Sequence, residues 1–342
     1  MIADRCSLER KLKLTENERK WFDSPSSLPL LISDQFEKLI NPDDPADPVR
    51  RQLVPDVREN IKIRASDPLA EVSHSVTGRL IHRYEHRAAL LTTDRCFAYC
   101  RHCFRRRFTG LDSGPISDDE IMKAASYLKE HREIYEVLLT GGDMFTLSND
   151  RLEKLFDALK SAREDLVLRL CTRAVASYPS RFDDSLMSII EKYNHGGPFL
   201  LLTQFNHPVE LDEESIGAVR KFLSLSIPAF NQSVLLKGVN DDADTLEELC
   251  NKLLYNRIKP YYLFQCDLVE GTEHLRVSVE KGLELEKELR KRVSGLAMPQ
   301  YTIDLPEGGG KVILTTDYLE GRDGDMLVFS TPDGQKRRYP ID

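Results

Sequence analysis

The stretch Thr93-Asp94-Arg95-Cys96-Phe97-Ala98-Tyr99-Cys100-Arg101-His102-Cys103-Phe104-Arg105-Arg106-Arg107 decides how the rest of this chain is read. It sets three cysteines at the spacing C-x3-C-x2-C directly after a short apolar run. Three thiolates on one tight loop can each take one iron of a cubane cluster, whereas a closed structural zinc site asks for four ligands and a disulfide for two. The fourth iron then stays open for a small molecule. The competing reading is three unrelated buried thiols, or a zinc site borrowing a distant ligand, and the context of the motif has to decide.

Cys96, Cys100 and Cys103 at this spacing resemble the cluster motif of radical S-adenosylmethionine (SAM) enzymes. That resemblance implies a [4Fe-4S] cluster whose open iron is chelated by SAM, with cleavage of the sulfonium giving a 5′-deoxyadenosyl radical.

From about Arg87 onward, short apolar runs rich in Leu, Val and Thr alternate with amphipathic stretches. The runs are Ala88–Thr93, Val137–Thr140, Leu166–Thr172, Phe199–Phe205, Ala229–Leu236 and Pro260–Cys266. Helical patterns fall near Asp118–His131, Asn149–Ala162, Phe182–Tyr193, Asp212–Leu225 and Asp242–Asn256, several opened by Asp, Ser or Asn as N-caps. Strand and helix in alternation predict an α/β fold with a parallel sheet. Six such units ending in chemically loaded loops suggest a curved sheet with its site at the C-terminal strand ends, while periodicity alone leaves an open doubly wound sheet in play. The resemblance selects between them: it implies a partial (β/α)6 barrel of the radical SAM type.

Residues 1–76 are rich in Pro, Asp and Arg and predict an N-terminal helical extension, with an amphipathic helix over Leu28–Ile40 and a break at Asn41–Pro48. Residues 77–295 form the barrel, ending in a charged helical pattern at Val279–Val293, and residues 296–342 form a short C-terminal segment. Asp323-Gly324 and Asp333-Gly334 are turn signals that make Asp317–Asp342 a hairpin or extended tail.

The chain has 342 residues and a formal net charge of −8, which argues against a general nucleic-acid binder and leaves a small-molecule substrate open. It carries no run of about 18 apolar residues and no leader pattern over Met1–Lys20, so no membrane association and a cytoplasmic location are expected. Seven cysteines do not read as a disulfide framework; Cys6, Cys171, Cys250 and Cys266 are scattered and are expected to be mostly inert packing thiols.

Two further motifs carry chemistry. Gly141-Gly142-Asp143 follows the second apolar run, where glycines let backbone groups approach a ligand and carbonyls accept from an ammonium. It is similar to the motif that holds the amino group of SAM in radical SAM enzymes. Gly308-Gly309-Gly310-Lys311 offers a lysine amine on a glycine-rich loop, as a pyridoxal 5′-phosphate (PLP) lysine requires, although the same residues suit a surface loop. Val312 stands where a phosphate-binding P-loop has Ser or Thr.

Asp304–Lys311 resembles the PLP-lysine motif of the lysine 2,3-aminomutase family. His82–Arg87, Cys100–Arg107, Asn231–Asp241 and Pro260–Leu268 resemble further stretches of the same family, from about Val76 to Thr315. The resemblance implies an isomerase of the intramolecular aminotransferase type that moves the amino group of L-lysine to give β-lysine, with SAM regenerated. Position by position, it implies that Cys96, Cys100 and Cys103 hold the cluster and that Gly141, Gly142, Asp143 and Gln232 contact SAM. Arg83 and Arg87 lie at the PLP phosphate, where guanidinium groups suit the dianion. Lys311 holds PLP and is the catalytic residue, Arg105 binds the substrate α-carboxylate, and Asp267 and Asp304 bind the distal ammonium. Arg106 and Arg107 are read as a solvated basic face.

The chain departs from the family at Asp242, where the long aminomutases have a zinc-site cysteine, and no cysteine follows Cys266; no zinc is expected. Gln204 stands where those enzymes usually have histidine. The expected partners are an amino acid substrate and an electron donor such as flavodoxin or ferredoxin, with a homo-oligomer left open. Three alternatives are weighed: the enzyme that isomerises lysine for attachment to elongation factor P, a 2,3-aminomutase for another amino acid, and a non-catalytic iron–sulfur protein. A glutamate enzyme should replace Asp267 or Asp304, because its substrate ends in an anion. The non-catalytic protein should lack PLP, against which Lys311 and the arginine pair weigh.

Overall fold

The computed structural model describes residues 1–341. Nine strands follow one another across a single sheet in chain order. They are β1 (Leu80–Tyr84), β2 (Arg87–Thr93), β3 (Glu136–Gly141), β4 (Val167–Thr172), β5 (Phe199–Thr203), β6 (Ala229–Leu235), β7 (Ile258–Gln265), β8 (Gln300–Leu305) and β9 (Gly310–Ile313). Pairing is parallel from β2 to β8 and antiparallel at both edges, β1 on β2 and β9 on β8. This is the curled half-barrel of the radical SAM fold, and β2 to β7 are the six apolar runs.

Burial along the strands has a period of two. In β4 and β6 every second residue is fully buried and those between are half-buried. The two faces of a strand alternate by geometry. One row, including Leu168 and Leu170, packs with helical residues such as Leu152, Leu155 and Phe156 into the main core. The other row, including Arg169, Cys171 and Gln232, remains accessible. Each Leu or Phe buried in this way contributes about 1.5–3 kcal/mol.

The helices between strands span Asp118–Glu130, Asn149–Ala162, Asp184–Tyr193, Glu213–Ser224, Ala243–Tyr255 and Val279–Arg292. Each starts where a Ser or Asp side chain accepts from a backbone N–H of the first turn: Ser117, Ser148, Asp183, Asp212, Asp242 and Ser278. These caps satisfy donors that the helix itself cannot.

The N-terminal segment differs from expectation at Leu28–Ile40. Only Asp34–Leu39 is helical, because Ser33 takes the N-cap position and Ile32 bridges Ile2 in extended backbone. Further short helices lie at Arg5–Lys11, Glu16–Trp21 and Pro48–Leu53. Arg50 is buried against Glu18 in a two-point ion pair. The tail is a three-stranded antiparallel meander, β10 (Leu319–Asp323), β11 (Met326–Ser330) and β12 (Lys336–Pro340), turning at the two Asp-Gly pairs. No helix among the described residues is long and apolar enough to cross a membrane.

Candidate active site

The three cysteines lie on the loop that leaves the C-terminal end of β2. The loop is pinned from both sides. Tyr99 N–H donates to Leu31, Arg101 N–H to Gln52, and Cys103 N–H to Cys100 within the loop. Arg101 is fully buried, donating Nε to Glu59 Oε1 at 2.8 Å and Nη1 to the Pro29 carbonyl at 2.8 Å. Arg106 donates to the other Glu59 oxygen at 2.8 Å and to the Glu270 carbonyl. Burial opposes charge on Glu59, but Arg101 and Arg106 outweigh it and hold the carboxyl below its usual pKa. Arg106 is thus structural and buried, and Arg107 pairs with Asp67 and Glu71, so neither forms the solvated face read from the sequence.

Burial pushes the Cys96 thiol well up, and Asp143, Cys103 and Cys100 add to the shift. Burial and Cys100 raise Cys103 as well. Iron must therefore displace protons from mutually close thiols when it binds. Among the described residues no three His, Cys, Asp or Glu side chains gather around one point as a single ion needs. A cubane differs in offering each thiolate its own iron. Arg173, at the end of β4, donates Nη1 to Cys100 Sγ at 2.7 Å, while Gln52 and Glu210 accept from its Nη2 at 2.6 and 2.9 Å. Burial lowers the His102 pKa to about 3, with Arg173 adding to the effect, so this imidazole is neutral; Asn206 Nδ2 lies 3.5 Å from its Nε2.

Gly141-Gly142-Asp143 is packed directly against the cysteine loop. Gly142 N–H donates to Thr93 and Asp143 N–H to Arg95. A Cβ on Gly142 would meet the Arg95 carbonyl oxygen at 2.2 Å, which only glycine avoids. The Asp143 carboxylate points inward and accepts from Phe145 N–H, Thr172 Oγ1 and Arg173 N–H. Both of its oxygens are engaged by these donors. Gly142→Ala is expected to cost about 3 kcal/mol through forced backbone displacement. Thermal denaturation and iron content after reconstitution should both fall; if neither changes, the two loops are not mechanically joined.

A second group of charges lies where β1, β7, β8 and β9 meet. Lys311 opposes Asp304 in the antiparallel β8–β9 pair, which sets both side chains on one face. Lys311 Nζ is bonded to Asp304 Oδ2 and lies 5.3 Å from the Phe264 ring. Arg83 donates to the other Asp304 oxygen. Arg83 and Arg87 both lie over the Tyr84 ring, at 4.9 and 3.9 Å. Buried Arg83 Nε has no partner among the described residues, a feature it shares with Arg106 and Arg173. Burial, then the charge of Asp304, raises the Asp267 carboxyl to about 7, with Lys311 and Arg105 opposing. Arg105 is held by Glu71 and Thr140. The structure therefore gathers Arg83, Arg105, Asp267, Asp304 and Lys311, with Arg87 beside them, and sets the three cysteines with the glycine pair; Gln232 is half-buried on β6.

The chain matches the model of the Radical SAM superfamily over residues 90–250. It is 38% identical to the L-lysine 2,3-aminomutase of Clostridium subterminale, over 97% of this chain and 80% of that one. It is 37% identical to the Bacillus subtilis L-lysine 2,3-aminomutase, over 97% of this chain and 71% of that one. The chain belongs to the lysine 2,3-aminomutase family of radical SAM enzymes. A glutamate 2,3-aminomutase from Clostridioides difficile is also similar, at 35% identity over 98% of this chain and 79% of its own. In this member of the aminomutase family, sequence reasoning missed Arg173, Glu59, Gln52 and Glu71. Arg173 follows the C-terminal end of β4 as Gly142 and Asp143 follow that of β3, a position that could have flagged it. The other three sit in the N-terminal segment and reach the site through contacts no local pattern announces.

Proposed function

We propose that this chain is a PLP- and SAM-dependent 2,3-aminomutase that interconverts L-lysine and β-lysine. The observation that carries the reading is the pair of carboxylates, Asp304 bonded to the amine of Lys311 and buried Asp267 within reach of the charges of both. Two carboxylates suit a buried ammonium, which would be costly without counter-charge. Glutamate would bring a third anion to the same place, so it is disfavoured.

Cys96, Cys100 and Cys103 would hold the [4Fe-4S] cluster, Gly141, Gly142 and Gln232 would contact SAM, and Arg83, Arg87 and Lys311 would hold PLP. When bound, the cluster with SAM supplies a 5′-deoxyadenosyl radical, and PLP supplies the delocalised system through which the amino group migrates. The residues of the chain act by positioning. Arg105 takes the α-carboxylate and Asp267 with Asp304 the distal ammonium, so both ends of the substrate are fixed and its β-carbon has one place to lie. Arg173 sets a positive charge against the Cys100 sulfur, and His102 stays uncharged.

The reading extends to a cytoplasmic location, a one-electron donor of flavodoxin or ferredoxin type, and division of the chain at about residues 76 and 296. Chiral chromatography of products tests it, after anaerobic incubation of the reconstituted protein with PLP, SAM, dithionite and L-lysine. β-Lysine at many turnovers per SAM supports it. Absence of β-lysine from protein carrying both cofactors sinks the substrate assignment. Product configuration separates the free-lysine enzyme from the relative that serves elongation factor P.

Asp267 also gives a pH dependence. Its carboxyl titrates at about 7 in the substrate-free chain, and an incoming ammonium favours the ionised form. Below that pH, binding must release a proton, so L-lysine affinity should fall as pH drops, by up to about tenfold per unit. Calorimetric titration in buffers of different ionisation enthalpy should detect the released proton. Asp267→Asn should flatten the profile; an unchanged profile in that variant would assign the dependence elsewhere.

A further inference from the structure

The N-terminal segment reaches the site at one residue in particular. Glu71 is buried, with 6% of its side chain exposed, and both its oxygens face the arginines that follow Cys103. Arg105 donates Nε to Glu71 Oε1 at 2.9 Å, and its Nη2 lies 2.8 Å from the same oxygen. Arg107 donates Nη2 to Glu71 Oε2 at 3.1 Å. On the other side, Arg105 Nη1 donates to Thr140 Oγ1, on β3, at 2.9 Å, and the guanidinium lies 4.6 Å from the Phe104 ring.

A guanidinium has five N–H donors in a fixed plane. Glu71 takes the edge formed by Nε and Nη2, and Thr140 takes one donor of Nη1. One donor on each terminal nitrogen is left, enough for a two-point contact with a carboxylate. Glu71 itself is not free to wander. Asp67 accepts from the backbone N–H of Glu71 at 3.1 Å and of Val72 at 2.9 Å, and His74 Nδ1 closes on the Ala70 carbonyl at 2.8 Å. The turn forces Ala70 to φ 54°, a left-handed conformation that a non-glycine residue keeps only when its surroundings over-determine it. The same segment docks on the PLP-lysine loop, where Glu307 N–H donates to the Pro68 carbonyl at 3.1 Å.

We infer that Glu71 is a positioning residue that locks Arg105 edge-on and so presents its open donors to the α-carboxylate of the substrate, making the N-terminal segment part of amino acid recognition. The inference rests on the proposed role of Arg105. It predicts that Glu71 matters for substrates with an α-carboxylate and not for the corresponding diamine.

The test titrates the reconstituted holoenzyme with L-lysine and, separately, with cadaverine, which keeps both amines and lacks the carboxylate. The readout is the absorbance change of bound PLP as either amine displaces Lys311. Glu71→Gln should weaken L-lysine binding about tenfold, equivalent to about 1.4 kcal/mol, and leave cadaverine unchanged. An Arg105→Met control should show the same selectivity. If Arg105→Met weakens both ligands alike, the carboxylate role of Arg105 fails. If Arg105→Met is selective and Glu71→Gln is not, this inference alone fails. Tighter L-lysine binding in Glu71→Gln would also overturn it, by showing Glu71 to be a competitor for those donors. Should Glu71→Gln not load its cofactors, Glu71→Asp is read by the same two titrations. Failure of both variants to load would make the pair a scaffold contact and overturn the assignment.

Discussion

Lys311→Ala abolishes β-lysine formation, lowering turnover by at least about four orders of magnitude, as loss of a covalent catalytic group does. The same variant loses the visible absorbance of bound PLP while its iron content stays at the wild-type level. The geometry makes this a clean experiment. Lys311 is partly exposed on an edge strand, and its loss leaves Asp304 still paired with Arg83, so no buried charge is stranded. Borohydride reduction followed by peptide mapping checks the attachment directly. PLP recovered on another lysine, or undiminished absorbance in the variant, would remove Lys311 from the reading.

Cys100→Ala produces the reciprocal result: SAM cleavage falls to background, while PLP remains on Lys311. Of the three cysteines, Cys100 is the one in contact with Arg173. Its removal leaves that guanidinium with Glu210 and Gln52, so the buried charge stays compensated and the fold should survive. Electron paramagnetic resonance of the reduced protein and quantitation of 5′-deoxyadenosine read the outcome. Cleavage at the wild-type rate would refute cluster coordination by this loop.

How much of this was readable in the chain depended on range. The six parallel strands lie close to the apolar runs, and each interstrand helix begins within two residues of its expected start. Both patterns are local: a period of two in the strands and a capping side chain within a turn of the helix it starts. β1 escaped notice because Leu80–Tyr84 carries His82 and Arg83, polar residues that a strand pattern does not advertise. Arg106 was misread for a similar reason. In sequence it belongs to three consecutive arginines, but its environment is set by Glu59, far earlier in the chain. The Gly-Gly-Gly-Lys stretch was open between loop and site; in the structure its end is strand β9, paired with β8 so that Lys311 stands opposite Asp304.

The participation of both flanks in one site has a consequence for biosynthesis. Gln52, Glu59 and Glu71 emerge from the ribosome before the cysteine loop, whereas Asp304 and Lys311 emerge after almost the whole barrel. The nascent chain therefore displays its thiols well before the pocket that shelters them can close. The iron content of protein taken directly from a heterologous host, before reconstitution, should accordingly fall as oxygen tension during synthesis rises.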